Sequence, residues 1–350
     1  MKVGFDAKRY FHNFSGLGNY SRQLISDLSK YQSNIEIVLF NVKKANSNFR
    51  VFHKSKINPL WRTIGIGKSV KNSGVNLFHG LSNEIPIDIP KNIGKIVTIH
   101  DVIYKEFPNY YPKIDREIYH LKTKWSLKVA DKIIVTSNTT RDNILKYYSV
   151  DESKLLTVYQ AVNPILYEIK KNRNREVVQF FFYHSTFNHR KNHINLVRAF
   201  GLTCQQHNWN LVLCGAKGNA FEETSKEIEN LGLGSRVTVK TNVKNEELFQ
   251  LLADSSCFVY PSFQEGFGIP LMEAAVLNLP MIVSDIQIFR ELTNNSGNYF
   301  NPNSPNELSK LMLQISSNLN DYKQDYTEIL KKINSQFISN QLFNIYSDLL

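Results

Sequence analysis

Short apolar runs alternate with segments whose apolar positions recur every three or four residues, and the alternation holds along nearly the whole chain. Residues 3–5, 35–40, 75–78, 96–99, 132–136 and 155–159 predict strands in the first half. After a loop, a helix is predicted from about Asn19, with Leu24, Ile25 and Leu28 on one face. A longer helix carries Ile114, Ile118, Leu121, Trp125 and Val129 at mixed three-and-four spacing. Ser137 reads as the N-cap of a helix bearing Ile144 and Leu145. Residues 160–176 break the rhythm with Asn163-Pro164 and the polar run 170–175, and read as an interdomain loop. The alternation restarts with strands at 177–183, 211–214, 237–239, 258–260 and 281–283. Helices between them carry Leu196, Val197 and Phe200, then Leu248, Leu251 and Leu252, and a further helix follows Gly268. The C-terminal region is helical, with Leu308, Leu311, Met312 and Ile315 on one face and Ile338, Leu342, Ile345 and Leu349 on another. Strands alternating with helices predict parallel sheets covered on both faces. The expected architecture is α/β, two Rossmann-like doubly wound domains in tandem, residues 1–165 and 166–333, facing each other across a cleft that holds the active site.

Composition narrows the class. At 350 residues the chain is too long for one compact core, and 42 % hydrophobic with 21 % charged residues excludes wholesale disorder. No apolar stretch approaches the roughly 18 residues of a membrane-spanning helix. A strand starts at once after Met1, without the apolar core of a leader, and the three cysteines show no CxxC spacing. A soluble, cytoplasmic protein is expected, with neither disulfides nor a zinc site.

Charge adds a candidate surface. Forty-two Lys and Arg against 31 Asp and Glu leave +11, and no acidic residue occurs between Glu36 and Glu84. That interval holds Lys43, Lys44, Arg50, Lys54, Lys56, Arg62, Lys68 and Lys71 among Phe49, Phe52, Leu60 and Trp61. It reads either as a solvated face or as a contact for something anionic: nucleic acid, a membrane surface or a phosphorylated substrate.

Three stretches carry candidate chemistry. Ser15-Gly16-Leu17-Gly18-Asn19-Tyr20-Ser21 stands between the first strand and the first helix, where amides and the helix dipole favour an anion. Ser21 occupies the third glycine position of a dinucleotide fingerprint, so a simple turn is the alternative and an NAD enzyme is weakly supported. Phe187-Asn188-His189-Arg190-Lys191-Asn192 opens a helix in the second half. Arg190 and Lys191 would suit a diphosphate, or belong to a solvated turn. Residues 262–273 lead from a strand into a helix with Pro270 in its first turn. There Gly266 and Gly268 flank Phe267, Ile269 follows, Glu265 lies on the loop, and Glu273 lies a turn inside the helix.

Glu265 and Glu273 match the glutamate, seven residues, glutamate pattern of glycosyltransferase family 4. The chain resembles these retaining, nucleotide-sugar-dependent enzymes of the two-domain GT-B fold over nearly its whole length. Gly16 to Arg22, Thr98-Ile99-His100-Asp101-Val102, Val135 to Asn138, Val158 to Val162, Arg190-Lys191-Asn192 and Ser284 to Leu292 resemble further family blocks in the right order. The resemblance implies that Glu265 and the amides of Gly266 to Gly268 hold the donor sugar, beside Ile269. It implies that Glu273 accepts the ribose hydroxyls and that Arg190 and Lys191 neutralise the diphosphate. Gly16 and Gly18 would let a loop close over the phosphates, and His100, oriented by Asp101, would touch the transferred sugar as a catalytic residue with Glu265. Helix 334–350 would pack back on the N-terminal, acceptor-binding domain; the C-terminal domain would bind the donor. The family's Gly-Thr or Gly-Arg is replaced by His184-Ser185-Thr186, which reshapes the phosphate pocket.

His79, Asn83 and Tyr104, with Glu84, are expected at the acceptor. No Asp-x-Asp pair occurs anywhere, so neither a metal nor another cofactor is expected. The resemblance points first to mannose from GDP-mannose, with UDP-hexoses close behind. The acceptor would be a saccharide or a polyprenyl-diphosphate-linked glycan of a surface polysaccharide. Residues 41–72 would then contact the anionic inner face of the cytoplasmic membrane, and nucleic acid is not expected. A silent sugar-binding scaffold of the same fold and a basic nucleic-acid-binding protein are the alternatives from other classes.

Overall fold

Apolar runs become strands of two parallel sheets. The computed structural model describes residues 1–13, 16–41, 47–53, 63–172 and 179–350. In the first sheet, β1 (Lys2–Asp6), β2 (Glu36–Asn41), β3 (Arg50–His53), β4 (Leu77–Gly80), β5 (Gly94–Ile99), β6 (Lys132–Val135) and β7 (Leu155–Thr157) stand in the order β3-β2-β1-β4-β5-β6-β7. In the second, β8 (Phe180–His184), β9 (Asn210–Cys214), β10 (Val237–Lys240), β11 (Cys257–Tyr260), β12 (Met281–Ser284) and β13 (Asn298–Phe300) run β10-β9-β8-β11-β12-β13. Each order reverses beside the unit's first strand, the topology of a doubly wound sheet. The first unit comprises Met1–Ala161 and Lys332–Leu350, and the second Val162–Lys331.

Side chains alternate across a strand, so a strand buried on both faces feeds two cores. Val38, Phe40, Phe78, Val97, Ile99, Ile133 and Val135 pack with Ile66, Val70, Leu127 and Ile144 on one face of the first sheet. Ile37, Leu39, Leu77, Ile96 and Ile134 face the other way, against Leu24, Ile25 and Leu28 of the Gly16–Tyr31 helix. Ile338, Leu342 and Tyr346 of the Ser335–Ser347 helix join this second layer, so the last helix belongs to the first unit's core. Asn334 caps it, accepting from the amides of Gln336 and Phe337.

Several elements differ from expectation. Residues after β1 form a short helix, Lys8–His12, and the next helix begins at Gly16, so both glycines lie in its first turn. The polar segment read as a loop contains the helix Ile165–Asn172, whose Leu166 is buried. Strand β8 starts at Phe180; residues 177 and 178 lie outside the described residues. The Lys113–Val129 helix forms, but Ile114, Ile118 and Leu121 point to solvent while Thr123, Ser126 and Leu127 are buried. Of the basic stretch, Lys43, Lys44, Lys54, Lys56 and Arg62 lie outside the described residues. No helix among the described residues is long and apolar enough to cross a membrane.

Gly18 is required by close approach. A Cβ there would lie 1.7 Å from the Asn13 carbonyl oxygen, whereas one at Gly16 meets nothing within 4 Å. The turn is stitched by Arg22 Nη1, which donates to the Tyr10 and Asn13 carbonyls at 2.8 Å each. Gly18→Ala should therefore lower the unfolding free energy by about 1–3 kcal/mol through overpacking, while Gly16→Ala leaves it nearly unchanged in urea titrations. Equal losses at the two positions would contradict the packing described.

Candidate functional site

In the second unit, two loops at the C-terminal ends of neighbouring strands β8 and β11 are sewn together. The β8 loop ends in a single helical turn, His189–Lys191, followed by Asn192 in the left-handed region at φ 60°. Asparagine tolerates that conformation, and its Nδ2 donates to the carbonyls of Pro261 (2.9 Å) and Pro302 (2.8 Å). The Phe263 amide donates to the Arg190 carbonyl at 2.9 Å, and the Tyr183 hydroxyl donates to the Lys191 carbonyl at 2.9 Å. Gly268, at φ 119°, precedes the helix Ile269–Val276, and its position would bring a Cβ within 3.2 Å of the Phe289 ring.

Glu265 sits where the loops meet. Its Oε1 lies 2.5 Å from Lys191 Nζ and its Oε2 3.1 Å from Arg190 Nη1, which also donates to the Gln264 carbonyl. Burial by itself would raise the carboxyl's pKa, but Lys191 and Arg190 outweigh it and hold the value at about 2. Two cations against one carboxylate leave the cluster net positive. Glu273, buried on the first turns of its helix, has Oε2 3.1 Å from His184 Nε2 at the end of β8. Among the described residues the pair makes no directed hydrogen bond, and neither atom has another partner.

In the first unit, a cavity of about 350 Å³ opens at the C-terminal edge of the sheet beside His100. Arg9, Asn83, Glu84, Tyr104, Tyr119 and Lys122 are among its walls. Lys122 Nζ reaches the buried Glu84 carboxylate at 3.1 Å, and among the described residues the buried Nε of Arg9 has no hydrogen-bond partner. The His100 Nε2 donates to the Leu81 carbonyl at 2.9 Å, which fixes the proton on that nitrogen, and Nδ1 lies 3.4 Å from the Gln160 amide. Burial lowers its pKa, so the ring is neutral near pH 7.

Several expectations change here. His79 does not reach an acceptor: it is fully buried, bonded to Tyr346 Oη at 2.7 Å and to Thr98 Oγ1 at 2.9 Å. A strand register that points its side chain into the core decides this. Asp101 does not hold the His100 ring; its Oδ1 accepts from the Ile103 amide instead. Tyr104 lines the cavity, but its hydroxyl pairs with Tyr148 at 2.6 Å. Asn83 lines it too and braces the backbone, accepting from the His100 amide at 2.9 Å. Gly16 and Gly18 lie in a helical turn rather than a free loop, and the Gly18 amide already donates to Asn13 Oδ1. Arg190, Lys191, Glu265, Gly266, Phe267, Gly268, Ile269 and Glu273 all fall at the two sewn loops. Sequence reasoning missed Arg9 and the His184–Glu273 pair. A Lys-Arg pair directly after the first strand, and a histidine ending a central one, were the available signals.

Two Rossmann-like units, one with paired cations and an acidic glycine loop, define the GT-B class of glycosyltransferases. The group 1 glycosyl transferase model matches residues 167–332 and the glycosyltransferase family 4 model residues 26–165. The chain belongs to this group 1, family 4 lineage of glycosyltransferases. It is 31 % identical over 216 residues to the O-antigen chain mannosyltransferase RfbU of Salmonella typhimurium, covering 61 % of this chain and 58 % of that protein. The chain thus spans less than two thirds of that relative. It is 24 % identical to the O-antigen chain mannosyltransferase B of Escherichia coli, covering 90 % of each. Among solved structures, a glycosyltransferase of Rickettsia africae superposes with a TM-score of 0.78 at 18 % identity, covering 99 % of this chain and 98 % of that one. HepE of Anabaena, in complex with UDP and glucose, gives 0.75 at 16 % identity over all of both chains.

Because the Glu265 carboxyl is held near 2 in the fold against 4.5 when free, its stabilisation is complete above pH 4.5 and disappears as pH falls towards 2. Glu265→Gln should cost about 3–5 kcal/mol at neutral pH by leaving buried cations uncompensated. The gap to wild type should close in acid. Urea titrations at several pH values check both, and equal stability at pH 7 would refute the arrangement.

Proposed function

We propose that this chain is a retaining hexosyltransferase of surface-polysaccharide biosynthesis. It moves mannose from GDP-mannose to a glycan or lipid-linked saccharide. The observation that carries the reading is the Arg190–Glu265–Lys191 cluster, a fixed and net positive seat where two loops meet. The Salmonella and Escherichia coli relatives, both O-antigen chain mannosyltransferases, support the sugar and the product class.

In this reading the nucleoside diphosphate lies against Arg190 and Lys191. The bond between the anomeric carbon and the diphosphate oxygen breaks, and charge builds on the leaving group beside both cations. An acceptor hydroxyl attacks from the same face, its oxygen bonds to the anomeric carbon, and its proton passes to the departing diphosphate. Glu265 is committed to the two cations and keeps them in place, so it acts through charge and position rather than as a nucleophile. Glu273 takes the ribose hydroxyls, with His184 steadying the unbonded carboxylate oxygen. The acceptor occupies the cavity beside His100, whose ring is held in place by the Leu81 carbonyl and the Gln160 amide. With no Asp-x-Asp in the chain, the cations of the protein do the work of a metal.

Thermal-shift titration with GDP, GDP-mannose, UDP and UDP-glucose in chelator tests the reading. Guanine nucleotides should raise Tm selectively, and Glu273→Ala should weaken the effect at least about tenfold through lost charge-assisted hydrogen bonds. Turnover should survive chelation. Selective stabilisation by uridine nucleotides would replace the donor, strict dependence on manganese or magnesium would overturn the metal-free step, and no shift with any nucleotide would favour a silent scaffold.

A further inference from the structure

His184 ends strand β8 in aromatic surroundings. Side chains alternate across a strand, so Phe180, Phe182 and His184 share one face. The imidazole lies 5.8 Å, between ring centroids, from both Phe182 and Phe258. Phe258 stands opposite Phe182 on the neighbouring strand β11, whose loop leads into the helix bearing Glu273. A polar ring in such company is costly unless something meets its nitrogens. What meets Nε2 is Glu273 Oε2 at 3.1 Å, and both atoms are sealed from solvent. The two side chains are themselves only 9 % and 7 % exposed.

We propose that His184 is a positioning residue for Glu273, and that it gives the donor site its preference for nucleotides with ribose hydroxyls. The inference rests on the donor reading above, in which Glu273 takes the ribose. A glutamate has several rotatable bonds, and an untethered carboxylate must be ordered by each ligand that uses it. Here Oε2 is engaged against the ring, which leaves Oε1 for the ligand. A carboxylate oxygen is attracted to an imidazole nitrogen only when that nitrogen carries the proton, so Nε2–H faces Oε2. The contact is not aligned as a hydrogen bond, and a small rotation of either group aligns it. Hydroxyls donating to Oε1 restrict the same rotation from the other side, so the ring and the ribose reinforce one another across one carboxylate.

This coupling is selective. A hydrogen bond to a carboxylate already held in place is worth more than one to a carboxylate that binding must order. Loss of the His184 N–H therefore acts on nucleotides that carry ribose hydroxyls and spares those that lack them. Arg190 and Lys191 meet the diphosphate, which both kinds carry. A ring that only filled space between Phe182 and Phe258 would affect both kinds alike.

Calorimetric titration of the full chain with GDP and UDP, each beside its 2′,3′-dideoxy form, decides it, with circular dichroism checking that every variant folds. Wild type should favour the better-bound ribonucleotide over its dideoxy form by at least about tenfold, the worth of hydrogen bonds to a charged group. His184→Gln carries an amide N–H out to the reach of Nε2 and should keep that ratio. His184→Asn holds its amide closer to the strand, short of Oε2, and should bring the ratio near unity by weakening the ribonucleotide alone. If His184→Asn does not fold, His184→Val takes its place. A wild-type ratio in the shortened variant, or equal weakening of both nucleotides, would overturn the inference. So would loss of the ratio in His184→Gln. If Glu273→Ala abolishes the ratio and His184→Asn does not, this inference fails and the donor reading stands. If wild type binds no nucleotide, or Glu273→Ala keeps the ratio, both fail.

Discussion

A carboxylate removed from water must be matched by positive charge, and Glu265 imposes that demand on everything around it. Arg190 and Lys191 come from a different loop, so matching the charge means fixing one loop against the other. The backbone follows: Asn192 adopts a left-handed conformation, the Phe263 amide meets the Arg190 carbonyl, and the Tyr183 hydroxyl meets the Lys191 carbonyl. The result is a pair of cations held in position before any ligand arrives. Groups fixed in advance need no reorganisation when charge develops against them, and electrostatic stabilisation is strongest on such terms.

The first unit solves a different problem, polar side chains inside a sheet covered on both faces. Thr98 and His79 project into the layer that also holds the Gly16–Tyr31 and Ser335–Ser347 helices, where water cannot satisfy them. They satisfy one another instead. Tyr20 Oη meets Thr98 Oγ1 at 3.1 Å, Thr98 meets His79, and His79 meets Tyr346. Tyr20 also stands edge-on to the His100 ring, with centroids 4.6 Å apart. The ring at the cavity is thereby braced by a polar file that ends on the last helix.

Much of this was legible in the sequence, and the failures have identifiable causes. Runs such as 35–40 are buried on both faces, so hydrophobicity alone located them within a residue or two. The loop of Glu265 was readable because glycines, a proline and two acids in fixed spacing have few other uses. Strands β3 and β13 were missed because short edge strands carry little apolar signal. Periodicity on the Lys113–Val129 helix identified the element but not its orientation, since an apolar stripe looks the same whether it meets a core or not. His79 was misjudged for a related reason: residues 77–80 form a strand buried on both faces, so no polar and apolar alternation shows which way a histidine points. The partnership of Glu265 with Arg190 and Lys191 joins positions more than seventy residues apart and is visible only in the fold.

The return of the last helix also sets an order of events during synthesis. The second unit, Val162–Lys331, has all its residues once that stretch has left the ribosome, although it lies later in the chain. The first unit must wait for Tyr346 before His79 has its second partner and before Leu24, Ile25 and Leu28 share their layer with Ile338 and Leu342. Domains generally form as units in the order of their emergence. Here the unit begun first is completed after the second, with an uncovered apolar seam and one of the two hydrogen bonds of His79 unmade in the interval. A nascent chain of this kind depends on residues 332–350 for the integrity of a unit begun well before them.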